Sequence, residues 1–267
     1  MEFSGQTALI TGASTGIGAV FAHRMAARGA HLILVARGED KLRALAVEIT
    51  AAYGVRVDVL PADLARPGAG ADLVDRVAAL DRTVDVLVNN AGFATHGDIE
   101  DADPARLLQQ VQLNCAAVVE LTARFLPAMT ARRRGTIINV ASTAAFQPVA
   151  HMAVYAASKA FVLSFTEALW GEAKPSGVKV IAVCPGATET PFFEAVGAEE
   201  ASVGKRRSPE QVVATALCGL AHGRPSIVDG RVNALLANVQ RFLPHRAVLG
   251  IAERSVRPRT STDDAAA

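Results

Sequence analysis

Net charge is almost missing from this chain: 27 Lys and Arg stand against 26 Asp and Glu, which leaves +1. Global electrostatics therefore indicate neither a nucleic-acid nor an acidic-membrane partner, since both are recruited by a cationic excess. Cysteine is scarce as well. Cys115, Cys184 and Cys218 stand singly in apolar surroundings, and no CxxC or HExxH spacing occurs. Metal ligation is not expected, and the three read as reduced core thiols of a cytoplasmic protein. The N-terminal MEFSGQTALI lacks a basic segment followed by a long apolar one, so no secretory signal is expected. A charge-free stretch runs from Gly135 to Ser158, but it contains Asn139, Gln147, Pro148 and His151. It reads as a buried strand, a loop and a helix start rather than a bilayer span. No internal repeat is evident.

Apolar residues are plentiful, at 51% of 267 positions, enough for a large core in one α/β domain. Short β-rich runs lie at Thr7 to Ile10, His31 to Val35, Arg56 to Leu60, Val84 to Val88, Thr136 to Val140 and Lys179 to Val183. Helical patterns fall between them, at Ala19 to Arg28, Glu39 to Tyr53, Ala69 to Leu80, Pro104 to Thr130 and about Ala153 to Ala173. Such alternation predicts a parallel sheet covered on both faces, within one domain spanning 1–256. The polar, Gly-containing segment at about 187–208 precedes Ser208-Pro209-Glu210, a helix-start pattern, and reads as a lid. A helical segment is expected at about 231–252, and a disordered polar tail over 257–267.

Two patterns carry chemistry. In the first, QTALI runs into TGASTGIG and then AVFAHRMAARG, so an apolar strand meets a glycine-rich turn and then a helix, the context that a dinucleotide fingerprint requires. Gly12, Gly16 and Gly18 let backbone amides approach a pyrophosphate, Ser14 adds a hydroxyl, and the following helix offers the positive end of its dipole to that anion. The same residues, Gly12 to Gly16, fit the G-x-S-x-G elbow of α/β-hydrolases. That reading is disfavoured, because the eleven residues before the turn leave no earlier strand whose loop would supply an oxyanion hole, and His96, His151, His222 and His245 carry no local pattern of a triad partner. In the second pattern, Tyr155 and Lys159 are four residues apart and so share a helix face. A free tyrosine has a pKa near 10, and a cation held beside it favours the phenolate. Lowering it by about three units takes roughly 4 kcal/mol, within reach of a lysine together with a nicotinamide cation in a partly dry cleft.

Together, TGxxxGxG, NNAG at Asn89 to Gly92, Asn114, Ser142, Tyr155-x-x-x-Lys159 and PGATET at Pro185 to Thr190 resemble the short-chain dehydrogenase/reductase family, from about residue 5 to about residue 230. The resemblance implies a single Rossmann-like, doubly wound α/β domain with seven parallel strands in the order 3-2-1-4-5-6-7, using NAD or NADP without a metal. It implies a catalytic set of Asn114, Ser142, Tyr155 and Lys159. Ser142 would bond the substrate carbonyl, Tyr155 would deliver the proton, Lys159 would hold phenolate and ribose, and Asn114 would position a water leading to Lys159. Cofactor contacts are implied at Gly12, Ser14, Gly16, Ile17, Gly18, Asp63, Asn89, Ala91, Gly92, Tyr155, Lys159, Pro185, Gly186, Thr188 and Thr190. Asp63 could equally cap the next helix. Where NAD-preferring members carry an acidic residue after the second strand, this chain has Ala36 followed by Arg37, whose guanidinium suits a 2′-phosphate, so NADP is expected. The expected activity is hydride transfer between nicotinamide and a carbonyl or secondary alcohol, with a ketone, ketoacyl or steroid-like substrate. The alternative is a non-catalytic NADP-binding regulator of the same fold.

Two further features depart from ketoacyl-carrier-protein reductase relatives or extend them. SIVDGRVNALLANVQRFLPHRAV adds an apolar-rich helix candidate whose stripe most commonly packs into a core, with a substrate pocket or subunit contact as the alternatives and membrane contact disfavoured. Lys205, Arg206 and Arg207 beside the lid could attract a thioester carrier's phosphates or simply be solvated. The helix bearing Tyr155 is apolar around much of its circumference, so a homodimer or homotetramer is expected.

Overall fold

Successive residues of a strand face opposite ways, and in this chain both faces are apolar. The structure, a computed structural model, describes residues 3–197, 204–239 and 242–257. Strands β1 (Thr7–Thr11), β2 (His31–Ala36), β3 (Val57–Pro61), β4 (Val86–Asn89), β5 (Thr136–Val140), β6 (Lys179–Cys184) and β7 (Ser226–Val228) form one parallel sheet. The order is β3-β2-β1-β4-β5-β6-β7, as the family resemblance implies. Helices α1 (Gly16–Ala26), α2 (Glu39–Tyr53) and α8 (Pro209–Ala221) cover one face, packing Phe21, Leu42 and Val213 with Ile10, Leu34 and Ile138. Helices α3 (Ala69–Ala78), α5 (Ala117–Ala131) and α6 (Ala153–Ala173) cover the other, packing Leu73, Leu121 and Leu169 with Leu9, Ile33 and Ile137. The result is a doubly wound α/β domain. Its connections change side between β1 and β4, and a crevice opens there at the carboxyl ends of the strands.

Four differences from the sequence expectation bear on the site. Helix α1 begins at Gly16 rather than Ala19, so the glycine-rich turn itself supplies the first helical residues. The expected helix over Pro104 to Thr130 is interrupted: α4 (Pro104–Val111) and α5 are joined by a π-helical turn, Gln112–Ala116, with Asn114 in its middle. The lid contains a short helix, α7 (Phe192–Val196), and is pinned at its ends by a bridge between Thr188 and Arg207. Residues 198–203 of the lid and 258–267 of the expected tail lie outside the described residues. The C-terminal segment is two helices, α9 (Arg231–Val239) and α10 (His245–Val256), because Pro244 starts a new helix and cannot continue the old one. At α8 the Ser208 pattern forms a full capping box: Ser208 Oγ accepts from the Gln211 amide, and Gln211 Oε1 accepts from the Ser208 amide. No helix among the described residues is long and apolar enough to cross a membrane.

The thiols need a correction. Cys184 is buried and Cys115 half-buried, but Cys218 is exposed on α8, so the three are not all core residues; all are free.

Candidate active site

Glycine at three positions of the first turn is a steric requirement. A Cβ on Gly12 would lie 2.8 Å from the Asn90 amide nitrogen and 2.9 Å from Ala91 Cα, and one on Gly16 would lie 2.8 Å from the Thr190 methyl. Gly12 and Gly16 also hold φ of +63° and +57°. A Cβ on Gly18 would come within 2.2 Å of the Gly12 carbonyl oxygen, so the start of α1 packs directly on the turn. Thr15, the residue preceding α1, makes no side-chain cap to the amides of the first helical turn. An anion at this helix end would meet those amides and the positive end of the helix dipole.

Above the turn lies a cavity of about 1510 Å³, larger than the roughly 300–1,000 Å³ usual for one small ligand. Gly12, Ser14, Gly16, Ile17, Arg37, Asp63, Ala91 and Gly92 line one part of it, and Ser142, Tyr155, Lys159, Pro185, Gly186, Thr188 and Thr190 another. Gly18, Asn89 and Asn114 do not line it. Gly18 serves the packing just described. Asn89 is buried and turned into the core, where Nδ2 donates to Asn139 Oδ1 (2.9 Å) and to Thr122 Oγ1 (3.2 Å). The strand's alternation sends Asn89 inward and leaves its neighbour to face the turn. That neighbour, Asn90, is not singled out by sequence reading; its Nδ2 donates to the carbonyls of Thr11 (2.9 Å) and Gly12 (3.1 Å), tying the glycine turn to the end of β4. The doubled Asn of NNAG is the only signal for it.

Asp63 follows β3 with its carboxylate accepting from the Ala65 amide at 3.1 Å, so it caps its own turn at the cavity edge. Arg37 follows β2, exposed, at the same edge as Lys41. The basic cluster on the lid is not uniform. Lys205 and Arg206 line the cavity, but Arg207 is committed to the fully buried Asp229, with Nε to Oδ2 at 2.5 Å and Nη2 to Oδ1 at 3.2 Å. A buried carboxylate demands a paired cation, which removes Arg207 from the pool available to a ligand.

Ser142, Tyr155 and Lys159 converge from two elements. Ser142 follows β5, and its Oγ accepts from the Ala144 amide at 3.1 Å, leaving its hydrogen to donate elsewhere. Tyr155 and Lys159 sit one turn apart on α6, with Nζ 5.8 Å from the phenol ring centroid. Nζ donates to the Val140 carbonyl at 2.8 Å. Asn114 stands behind them. Its Nδ2 donates to the Phe93 carbonyl (3.0 Å) and to Ser158 Oγ (3.0 Å), and its Oδ1 accepts from the Phe93 amide (3.2 Å). Ser158 Oγ in turn donates to the Tyr155 carbonyl at 2.7 Å, so Asn114 clamps the loop after β4 to the helix carrying the tyrosine. Gly92 keeps this passage open: a Cβ there would lie 3.0 Å from Asn114 Oδ1 and 3.5 Å from Lys159 Nζ.

The expected acidified phenol is not a property of the Tyr155 and Lys159 pair alone. Burial pushes the Tyr155 phenol up to about 12, with the Ser142 hydroxyl opposing the shift. Burial likewise pulls the Lys159 ammonium down to about 8. Desolvation outweighs the pair's own attraction, so further positive charge in the cleft is needed to favour phenolate.

Comparison with known proteins agrees with this geometry. The short chain dehydrogenase family model matches residues 6–201, and the chain belongs to that family. Over 191 residues it is 40% identical to the protein named as ketoacyl reductase 1 of the granaticin polyketide synthase of Streptomyces violaceoruber, covering 71% of this chain and 70% of the relative. Over 188 residues it is 37% identical to the very-long-chain 3-oxoacyl-CoA reductase of Anas platyrhynchos, covering 68% of this chain and 59% of that one. A solved short-chain dehydrogenase from Sphingobium yanoikuyae in complex with NADPH superposes with a TM-score of 0.80 at 35% identity, covering 89% of this chain and 94% of its own. The protein is therefore a nicotinamide-dependent oxidoreductase acting on a carbonyl or alcohol group.

Proposed function

We propose that this protein is an NADP-dependent reductase of bulky, apolar carbonyl compounds, with Tyr155 as the proton donor. One observation carries the reading: Ser142, Tyr155 and Lys159 meet at the wall of a cavity that is floored at one end by the glycine turn and walled at the other by Phe93, Val149, Met152, Phe192, Leu236 and Ile251. A nicotinamide nucleotide held there would supply the hydride at its C4. Ser142, whose oxygen already accepts from a backbone amide, donates its hydrogen to the substrate carbonyl oxygen and fixes the carbonyl. Tyr155, protonated at neutral pH, gives its proton to that oxygen as it becomes an alkoxide. Lys159, anchored on the Val140 carbonyl, stabilises the resulting phenolate, and Asn114 holds the frame.

Arg37 and Lys41 at the cavity edge, with Ala36 where an acidic residue would repel a 2′-phosphate, support NADP over NAD. The apolar wall supports a long acyl or multi-ring substrate, in keeping with the ketoacyl and 3-oxoacyl-CoA names of the relatives. Free thiols throughout suit a reducing compartment such as the cytoplasm.

The decisive experiment follows NADPH oxidation with ketones, ketoesters and ketoacyl thioesters of graded size. Tyr155→Phe should lower kcat by about 10²–10⁴-fold while leaving NADPH affinity near that of the wild type. Near-normal turnover by that variant with every carbonyl would sink the mechanism. Arg37→Ala should raise the KM for NADPH by about tenfold and leave that for NADH unchanged; an unaltered ratio would remove Arg37 from cofactor selection.

A further inference from the structure

Helix α10 is held over the substrate end of the cavity by unusually little apolar contact. Of its described side chains only Ala252 and Val256 are buried, while Ile251 is 62% exposed. Yet Val256 packs in the same cluster as Ala94, Val149 and Met152, against which Tyr155 and Phe192 also lie. The helix is thus a wall of the chamber at the catalytic tyrosine, and an alanine with a valine is a weak anchor for it.

What supplements that anchor is polar and comes from two distant loops. His96, in the loop after β4, has Nε2 2.7 Å from the Val256 carbonyl oxygen, and since a carbonyl only accepts, His96 is the donor. His151, in the loop before α6, has Nδ1 2.6 Å from Asp98 Oδ1 and Nε2 3.7 Å from Glu253 Oε1 on α10. The His151 backbone holds φ of +61°, a left-handed conformation uncommon for residues other than glycine, and its carbonyl accepts from the Gly97 amide at 2.8 Å. Its side chain is only 15% exposed, and Nε2 is buried without a hydrogen-bond partner. Glu253 also accepts from Arg257 Nε at 2.7 Å. The groups facing the His151 ring are therefore Asp98 and His96 from one loop, and Glu253 with its Arg257 from α10.

We propose that His96, Asp98 and His151 form a latch that seats α10 against the chamber, making them positioning residues that select for carbonyl substrates large enough to touch that helix. None of them touches the reacting atoms. The His151 ring lies between two carboxylates, Asp98 on its own side and Glu253 on α10, and so ties the loops to the helix.

The proposal rests on the oxidoreductase reading of the site, and the test separates the two. Wild type, His151→Gln and Glu253→Gln are assayed with NADPH against cyclohexanone and against a fused-ring ketone, and amide exchange of α10 is measured on the same proteins without substrate. Glu253→Gln lies on the outer helix and breaks the same contact without touching the loops. The expected result for both variants is a KM for the fused-ring ketone raised about fivefold or more, with its kcat, the cyclohexanone constants and the KM for NADPH within about twofold of wild type. Amides of α10 should exchange about tenfold faster in both variants. Unchanged exchange of α10, or KM values for the two ketones that move together, would overturn the latch. Absence of turnover in the wild type would instead defeat the reading of the site, while amide exchange would still report on the latch.

Discussion

Lys159 shows how a single residue can trade stability for chemistry. Its ammonium lies almost wholly buried, with one carbonyl partner at 2.8 Å, and burial lowers its pKa from 10.5 to about 8. At neutral pH the folded chain carries a desolvated charge that the unfolded chain would keep in water, and a shift of this size costs about 3–4 kcal/mol. Replacing a buried charge with an apolar group of similar shape commonly stabilises. Lys159→Met should therefore raise the stability of the nucleotide-free protein at pH 7 by about 2 kcal/mol, read from denaturant unfolding, while abolishing turnover. The sign with pH follows from the depressed value: between about 8 and 10.5 the folded wild type has released a proton that the unfolded chain still holds, so wild-type stability gains on the variant across that window. A variant less stable than wild type at pH 7 would mean that the Val140 hydrogen bond outweighs desolvation. The spacing of Tyr155 and Lys159 made their shared face legible in sequence. Their shifted acidities were not, because desolvation depends on everything packed around the pair.

At the scale of elements, the first strand, turn and helix were readable because their requirement is local: three glycines and an apolar run within a dozen residues. The structure adds the reason for each glycine, and Gly18 is the sharpest case. A methyl group there would sit 2.2 Å from the Gly12 carbonyl oxygen, and backbone on backbone cannot yield as a side-chain tip does. Gly18→Ala should push α1 off the turn, destabilise the protein by about 1–3 kcal/mol and weaken NADPH binding, measured by thermal unfolding and by fluorescence titration. Intact affinity in that variant would contradict the packing described. Other elements were legible only in outline. The helical pattern from Pro104 is continuous through QLNCA, and only the family resemblance marks Asn114 as a position that kinks the helix. The π turn accompanies an Asn114 side chain that bonds Phe93, 21 residues earlier, and Ser158, 44 residues later. The contact of His96 with the Val256 carbonyl spans 160 residues. Pairings over such distances leave no periodicity to read, and Asn90, Asp229 and the two latch histidines were hidden for that reason.

At the scale of the whole molecule, the outer surface of α6 and its neighbour α4 bears on the assembly expected from the sequence. Helix α6 buries Val162, Leu163 and Leu169 against the sheet and the π turn, yet Phe161 remains 44% exposed and stacks on Phe165 at 6.0 Å between ring centroids. On α4, Leu108 is 70% exposed and Val111 43%. Scattered apolar residues need no explanation, but a phenylalanine stack on one helix together with an exposed leucine and valine on a helix packed against it is the kind of surface that a second subunit covers. A two-fold axis across α6 would place the patch on its own copy, the arrangement that closes a dimer without leaving an open edge. Exposed apolar residues also occur on α9, where Leu235 is 63% exposed, but that helix borders the substrate chamber through Val232 and Leu236. The two surfaces can be told apart by charge. If wild type sediments as a dimer through α6, Phe161→Arg should sediment as a monomer at micromolar concentration, because an unpaired guanidinium cannot be buried at a symmetric apolar contact without meeting its own image. Leu235→Arg should leave the assembly unchanged and serve as the control. A wild type that sediments as a monomer, or a Phe161→Arg variant that stays assembled, would show that α6 faces solvent in the functioning protein.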